Sequence, residues 1–241
     1  NRFTATPWQA VHRPSLRHPK PTINGSQTAT VTGPAGEDVH CDAYGRVKVR
    51  FHWDRRDKAD DKSSCWVRVA SGWAGDGFGA TMIPRVGMEV LVTFLDGDPD
   101  RPLINGCLPN ALHRPSYPLP QYNTRSVLRS RSSLGGEGAN EVYLEDRRGE
   151  ELVYLRAQRD LEQRVGHDSR LEVVGERREV IHGLSTAHLE SEEHRHVTGD
   201  RKVVLKANDY LDVQGDSRTQ VAQTLVIEAG QQLHLKSGAS L

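Results

Sequence analysis

The chain has 241 residues, which is enough for one or two domains. Its 32 lysines and arginines balance its 32 aspartates and glutamates, so no overall electrostatic field favours nucleic acid or acidic lipid as a partner. Hydrophobic residues make up only 36% of the chain, which suits an elongated structure with a thin core, and no apolar run approaches the ~20 residues of a transmembrane helix.

Residues 1–24 are predicted to form an extended lead-in, because four prolines interrupt any regular element there. The opening stretch "NRFTATPWQAV" has no apolar secretory region, so we expect no signal peptide and a fragment boundary at this end. If the protein leaves the cell, it is expected to do so without the usual signal.

Residues 25–112 are predicted to form a β-rich barrel domain. The stretch "GRVKVRFHWD" alternates cleanly, while "CWVRVA" and "GMEVLVTFLDGDPDRPLI" supply further strands with a Gly-Asp-Pro-Asp turn between the last two. Four or five such strands suit a small Greek-key barrel of the oligonucleotide/oligosaccharide-binding (OB) type. One face of the first strand is expected to carry Val47, Val49, Phe51 and Trp53, and the other Arg46, Lys48, Arg50 and His52.

Residues 113–158 are predicted to be a connector that ends in a hairpin. The stretch "HRPSYPLPQYNTRSVLRSRSSLGGEG" is rich in proline, arginine and glycine, which is typical of an irregular linking segment. The stretch "NEVYLEDRRGEELVYL" that follows reads as two strands joined by a turn.

Residues 159–241 contain an internal repeat of eight residues. Positions eight apart are all branched aliphatic, and the positions two residues later are all small from 175 to 215, four of those six being glycine. We call the first set the aliphatic column: Val165, Val173, Ile181, Leu189, Val197, Leu205, Val213 and Val221. The second set is the small-residue column: Gly175, Gly183, Ser191, Gly199, Ala207 and Gly215.

The period indicates a β backbone. On an α-helix an eight-residue step leaves a drift of about 80°, so the column would wind around the helix and form no face. On a β-strand every even step returns to the same face, so both columns stay on one side. Burying eight aliphatic side chains cannot offset the conformational entropy lost when one chain orders such a long segment. Several identical chains wrapped around a common axis would solve this problem, because they would share one core. Three-fold closure is predicted, with the aliphatic column at the axis.

Five features, taken in order, resemble the VgrG proteins, the trimeric spike proteins of the bacterial type VI secretion system. They are "YGRVKVRFHWD", "SSCWVRV", "IPRVGMEVLVTFLDGDPDRPLI", "TRSVLRSRSS" and the octet repeat, and they extend from about residue 21 to the last residue. The resemblance implies an all-β homotrimer, in which an OB-fold barrel is followed by an intertwined triple-stranded β-helix needle.

The same resemblance implies a mechanical function, the puncturing of target membranes and the delivery of effectors. Implied partners are other copies of the chain, the tube protein, the tip protein and effector proteins, with no nucleic acid. Assembly is expected in the bacterial cytoplasm, followed by delivery outside the cell or into a target cell. Any tip or effector extension is expected beyond Leu241, because the predicted strands "TLVIEA" and "QLHLKS" continue the repeat almost to that residue.

No catalytic residue, cofactor or metal site is expected. The sequence has no G-x-S-x-G elbow, no phosphate loop and no G-x-G-x-x-G opening a helix. The stretch "HLESEEHRH" matches neither H-E-x-x-H nor H-x-x-E-H. His194 and His196 form an H-x-H pair, but they lie an odd number of steps from Leu189 and are expected to face solvent.

The three cysteines, Cys41, Cys65 and Cys107, include no C-x-x-C pair. They are predicted to be buried free thiols in a reducing compartment, although one disulfide bridge stays open as an alternative.

Two rival functions remain open. A contractile phage or pyocin tail spike would have the same architecture and the same repeat. A barrel that binds oligosaccharide or nucleic acid, with the repeat as its stalk, would use the cationic face around Lys48 and Arg50. The simpler interpretation of that face is a solvated outer surface, or one paired with a neighbouring subunit.

Overall fold

The computed structural model describes residues 2–11, 13–15, 17–56 and 58–238. Within these ranges the regular structure is β, apart from one short 3-10 turn, and the described part contains no helix that is long and apolar enough to cross a membrane. The chain forms two compact units, one up to Ser169 and one from Arg170 onward. The first unit contains every assigned strand in the described ranges.

Five strands form a barrel in the first unit, in the order β2-β1-β4-β5-β3. Their pairings are antiparallel except for β3 with β5, which is parallel. A bridge between Val47 and Val67, with N–O distances of 3.0 and 2.8 Å in the two directions, joins β2 to β3 and closes the sheet on itself. The strands are β1 (Gln27–Thr32), β2 (Lys48–Phe51), β3 (Arg68–Val69), β4 (Glu89–Phe94) and β5 (Pro102–Leu108).

The barrel core consists of small and β-branched side chains. Such residues pack well on a pleated sheet, and period-two alternation turns them all inward. Phe51 and Phe94 close one side of this core, with ring centroids 6.0 Å apart. The fully buried members are Ala29, Val31, Val47, Val49, Val67, Val90, Val92 and Ile104.

The predicted barrel is confirmed, including the turn at 97–100, and two details differ. The strand β1 was not predicted, because "QTATVT" has only Ala29 and Val31 to mark its inward face. Trp53 was predicted to share the inner face, but it follows the end of β2 and is 65% exposed. Its indole stacks on Phe51 at 5.2 Å and donates a hydrogen bond to Gln27 at 2.9 Å.

Three of the four side chains of the cationic face of β2 are partly covered by the chain, whereas His52 is exposed, so the simpler interpretation as a solvated surface holds only in part. Arg46 forms an ion pair with Asp42 at 2.6 Å. Lys48 donates to the carbonyl of Asp61 and lies 4.8 Å from the ring centre of Trp66. Arg50 donates to the carbonyls of the 54–56 loop. These cations therefore hold neighbouring loops against the barrel.

The cysteines are free thiols as predicted, but the prediction that they are buried is wrong for this chain. Cys41, Cys65 and Cys107 are all exposed and none forms a disulfide. Cys107 lies in the second half of β5, where residues 105–108 leave the core. A strand that is buried only at its start cannot shelter a thiol at its end.

The connector contains a three-stranded sheet in the order β6-β7-β8. The predicted hairpin is confirmed as β7 (Glu141–Glu145) and β8 (Leu152–Arg156), which pair in antiparallel register. The third strand, β6 (Arg125–Arg129), pairs with β7 and was expected to be irregular. Its sequence "RSVLR" is short and does not alternate between polar and apolar residues, so it does not stand out from the surrounding prolines and serines.

Candidate functional site: the octet-repeat surface

The backbone of the repeat bends once in every eight residues. Each bend occupies two residues, and a six-residue segment without a turn lies between one bend and the next. The bends are at 166–167, 174–175, 182–183, 190–191, 198–199, 206–207, 214–215, 222–223 and 230–231. The sequence period is therefore also a period of the backbone.

Side-chain contacts show that each six-residue segment is extended. Residues i and i+2 touch repeatedly, as expected where successive side chains point to opposite faces. Glu192 and His194 lie 3.0 Å apart, as do Arg177 and Glu179. Even-numbered and odd-numbered residues therefore form two separate faces within a segment.

The two faces differ in composition. From 161 to 237 the odd-numbered positions number 39, and only six carry a charged side chain. The 38 even-numbered positions from 162 to 236 carry 17 charged residues. This segregation indicates that the odd-numbered face is the one meant for burial.

Each residue of the aliphatic column is the last residue before a bend, on the odd-numbered face. The eight side chains are 44–60% exposed, whereas Val174 in a bend is 99% exposed. The chain alone therefore shields the column only in part. This regular row of aliphatic residues is an apolar surface that the single chain buries only in part. It identifies the odd-numbered face as a candidate assembly surface.

The glycines of the small-residue column have no explanation within one chain. A Cβ added at Gly175, Gly183, Gly199 or Gly215 would meet nothing within 4 Å, and none of these residues has a positive φ. Neither space nor backbone conformation in the isolated chain requires glycine there. A close approach by another backbone would require it.

The described part of the repeat is not paired with itself as a β-sheet. Among residues 161–238 no strand, helix or isolated bridge is assigned. Extended backbone presents a row of N–H and C=O groups that are satisfied by neighbouring strands when they are buried. Extended segments with no assigned strand pairing of their own suit pairing with other chains.

His194 and His196 lie on the even-numbered face, as predicted. His194 contacts the carboxylate of Glu192 at 3.0 Å. Within the part of the chain that the structure describes, no three His, Cys, Asp or Glu side chains are grouped closely enough to hold a metal ion.

A second candidate feature, which the sequence interpretation missed, is a cage of aromatic rings around Arg125 in the connector. The guanidinium carbon lies 4.3–4.6 Å from the ring centres of Tyr117, Tyr122 and Tyr143. Tyr143 stacks on Tyr154, its partner in the β7–β8 register, at 4.7 Å. We call these five residues the tyrosine–arginine cluster. Four of the six tyrosines of the chain fall between 117 and 154, and this uneven distribution along the sequence could have indicated an aromatic cluster in the connector.

Two buried carboxylates complete the polar side of the cluster. Glu145 accepts hydrogen bonds from Thr124 and from Arg125 Nε, the latter at 3.1 Å, and these bonds lower its pKa. Glu141 accepts a hydrogen bond from the Tyr117 hydroxyl, which raises the pKa of that phenol. Buried charges need partners of this kind.

The barrel carries an open pocket of about 390 Å³ with both polar and apolar lining. Tyr44, Trp73, Phe78 and Met82 line it, and each of these side chains is more than 60% exposed. These residues do not stand out in the sequence, because they have no periodic spacing and lie outside the assigned strands.

Two family models match the chain. Residues 29–108 match the type VI secretion system/phage-baseplate injector OB domain, which is the barrel. Residues 126–236 match the bacteriophage T4 gp5 C-terminal trimerisation domain, which takes in the three-stranded sheet and most of the repeat.

Curated relatives agree with these matches. The chain is 58% identical over 185 residues to the type VI secretion system spike protein VgrG4b of Pseudomonas aeruginosa, an alignment that covers 77% of this chain and 23% of the relative. It is 44% identical over 225 residues to VgrG1a of the same organism, covering 92% and 34% of the two chains. The actin cross-linking toxin VgrG1 of Vibrio cholerae is 40% identical over 238 residues, covering 99% and 19%. The chain thus spans about a fifth to a third of the length of these relatives.

Proposed function

This chain belongs to the VgrG family of spike proteins, with an OB barrel followed by a trimer-forming β-repeat, and on that premise we propose that it is the shaft of a type VI secretion spike. Three copies form the barrel and the needle, which contraction of the apparatus drives through a target membrane. The function is mechanical and the chain catalyses no reaction.

The half-covered aliphatic column is the observation that supports this proposal most directly. Its side chains are 44–60% exposed in one chain, spaced at every bend, on the face with few charges. Two further copies would cover the column and pair the open strand edges. The small-residue column would then let the three backbones come close together.

Such a trimer has the physical properties that puncturing needs. A closed arrangement has no free lateral edge from which strands can peel away, and hydrogen bonds between chains make it stiff. The even-numbered face, with its 17 charged residues, forms the exterior. Charged side chains make insertion into lipid unfavourable, so the needle crosses a membrane only under applied force.

Partners and location follow from the same assignment. We propose that the spike assembles in the bacterial cytoplasm, sits on the tube protein, and carries a tip protein and effectors into a target cell. The relative from Vibrio cholerae is named as an actin cross-linking toxin. This chain spans 19% of that relative, so the toxin activity in the relative's name is not assigned to this chain.

The trimer is tested by sedimentation equilibrium of the 241-residue chain at micromolar concentration. We expect three times the chain mass of 26.9 kDa, because the open column and edges of one chain leave a single copy unstable. A species that stays monomeric or dimeric across the concentration range would contradict the proposed needle.

The absence of enzymatic activity is tested with purified chain and peptidoglycan. We expect no turnover above the buffer rate, because most carboxylates of the repeat lie on the even-numbered face, an extended surface rather than a cleft. Turnover that disappears when one pair of carboxylates is changed would overturn this part of the proposal.

A binding function of the barrel is the second candidate, and the pocket lined by Tyr44, Trp73 and Phe78 is the observation that favours it. Exposed aromatic rings of this kind stack on bases or sugars in other OB folds. Titration with single-stranded DNA and with glycans decides the question. Saturable binding lost in Trp73→Ala would favour this function, whereas no binding leaves the pocket as a surface for another subunit.

A further inference from the structure

The odd-numbered face of the repeat carries two pairs of opposite charges among its aliphatic residues. Arg177 Nη2 lies 3.0 Å from Glu179, and Arg195 Nη2 lies 3.4 Å from Glu193. Arg177 and Glu179 share a segment with Ile181 of the aliphatic column, and Glu193 and Arg195 share one with Val197. A face with few charged residues thus has four of its six charges in these two segments.

These pairs differ from the charged pairs on the opposite face. The side chains of Arg177 and Glu179 are 62% and 59% exposed in the single chain, whereas those of His194 and Glu192 are 86% and 82% exposed. The odd-numbered pairs are therefore already partly sheltered by their own chain. Their surroundings match those of the aliphatic column, which is 44–60% exposed.

The odd-numbered charges balance. Between 161 and 237 they comprise three cations and three anions, so their sum is zero. A buried charge must be compensated nearby, and four members of this set of six are, because Arg177 pairs with Glu179 and Arg195 with Glu193 in every copy. The set is Arg177, Arg195, Arg201, Glu179, Glu193 and Asp209.

We infer that the Arg177–Glu179 and Glu193–Arg195 pairs form charged layers inside the needle that align three copies of this chain with one another. The inference rests on the proposed trimer and names what sets its register. The partner that these pairs meet is a second and a third copy of the same segment. Each layer then holds three arginines and three glutamates, within reach both of their own chain and of its neighbours.

The aliphatic column by itself cannot fix the register in which the three copies align. Because every octet places an aliphatic residue at the same position, a chain displaced by eight residues would still present a complete column to its neighbours. Charged layers remove this degeneracy. A displaced segment 176–181 would set Arg177 and Glu179 against segment 184–189, whose odd-numbered residues are Ser185, Ala187 and Leu189. Buried polar groups are known to fix register in other assemblies of chains.

The inference is tested by charge reversal at two adjacent arginines of opposite parity. Arg177→Glu replaces the balanced Arg177–Glu179 layer by six carboxylates, and we expect the apparent dissociation constant of the trimer to rise about 100-fold or more. Arg178→Glu makes the same change one residue away on the charged face, and we expect a change within about fivefold. Both are measured by analytical ultracentrifugation of the 241-residue chain against unmodified chain.

Exchanging the two charges of the pair tests whether Arg177→Glu weakens the trimer through misfolding or through lost charge balance. The double variant Arg177→Glu with Glu179→Arg keeps both charges in the layer, and we expect it to recover most of the lost affinity. Equal effects of Arg177→Glu and Arg178→Glu, or no recovery on exchange, would overturn the charged layers while leaving the trimer intact. An unmodified chain that is not trimeric would instead contradict the proposed function itself, so the two failures are distinguishable.

Discussion

Val197→Asp is expected to open the needle locally or to weaken the trimer at neutral pH. Val197 belongs to the aliphatic column, on the odd-numbered face and directly before the bend at 198–199. Three copies of the variant would place three carboxylates close together and away from water. Like charges at short range and desolvation both oppose ionisation, so the carboxyls must protonate or the chains must separate. We expect a loss of about 3–5 kcal/mol or more in the stability of the trimer.

Lys202→Asp is the matched control for this variant. Lys202 lies five residues from Val197, on the even-numbered face that carries most of the charge. A charge change there alters only a solvated surface and is expected to stay within about 0.5 kcal/mol. Thermal unfolding followed by circular dichroism compares the two.

The pH dependence of Val197→Asp gives a second readout. Because burial raises the pKa of the new carboxyl, acidification should neutralise it and restore part of the lost stability. The control should show no such recovery. Equal melting temperatures for the two variants, or a lower melting temperature for Lys202→Asp, would mean that the odd-numbered face is not the buried face of the needle.

Arg125→Ala is expected to destabilise the three-stranded sheet strongly. The side chain occupies the space between Tyr117, Tyr122 and Tyr143 and pairs with the buried carboxylate of Glu145. Its removal leaves a cavity among three rings and an acidic group without its cation. We expect the unfolding midpoint of this region, followed by near-ultraviolet circular dichroism of the tyrosines, to fall by about 5–10 °C.

Arg148→Ala is the control, because Arg148 is exposed in the turn between β7 and β8. It should leave the tyrosine signal and the midpoint unchanged. Adding Glu145→Gln to Arg125→Ala removes the unpaired charge and should recover part of the loss. A midpoint for Arg125→Ala that matches the control would show that the tyrosine–arginine cluster contributes nothing to the sheet.

The same cluster predicts how stability depends on pH. The pKa of Glu145 is lowered in the folded chain, chiefly by the hydrogen bond from Thr124 and further by Arg125. A depressed folded pKa means that the carboxylate stabilises the fold at pH values above its ordinary pKa and that this contribution is lost as the pH falls through the depressed value. In Arg125→Ala the pKa is less depressed, so stability should vary less with pH across the acid range.

Periodicity let the sequence alone predict the repeat. Because an even step on a strand always returns to the same face, the eight-residue spacing from Val165 to Val221 indicated a β backbone with one apolar face. The bends at every eighth residue confirm that period in the backbone. Alternation in residues 45–54 marked a strand for the same reason, since the pattern depends only on neighbours along the chain.

The sequence could also have shown the charged pairs of the repeat, since their parity is a matter of counting. It could not show that they touch their own chain two residues away. The meeting of the aliphatic column at an axis stays a prediction, because that arrangement depends on other copies of the chain.

Only the tertiary structure brought together residues that are distant along the chain. Tyr117, Arg125, Tyr143 and Glu145 meet because β6 pairs with β7 in one particular register, and no local pattern encodes a pairing between strands. The cations of β2 lost their apparent exposure for a similar reason, since loops that follow the strand fold back over them. Trp53 is exposed because it follows the end of β2, and Cys107 is exposed because the second half of β5 leaves the core. Local alternation determines which way a side chain points, whereas what it meets depends on strand order, register and the paths of loops.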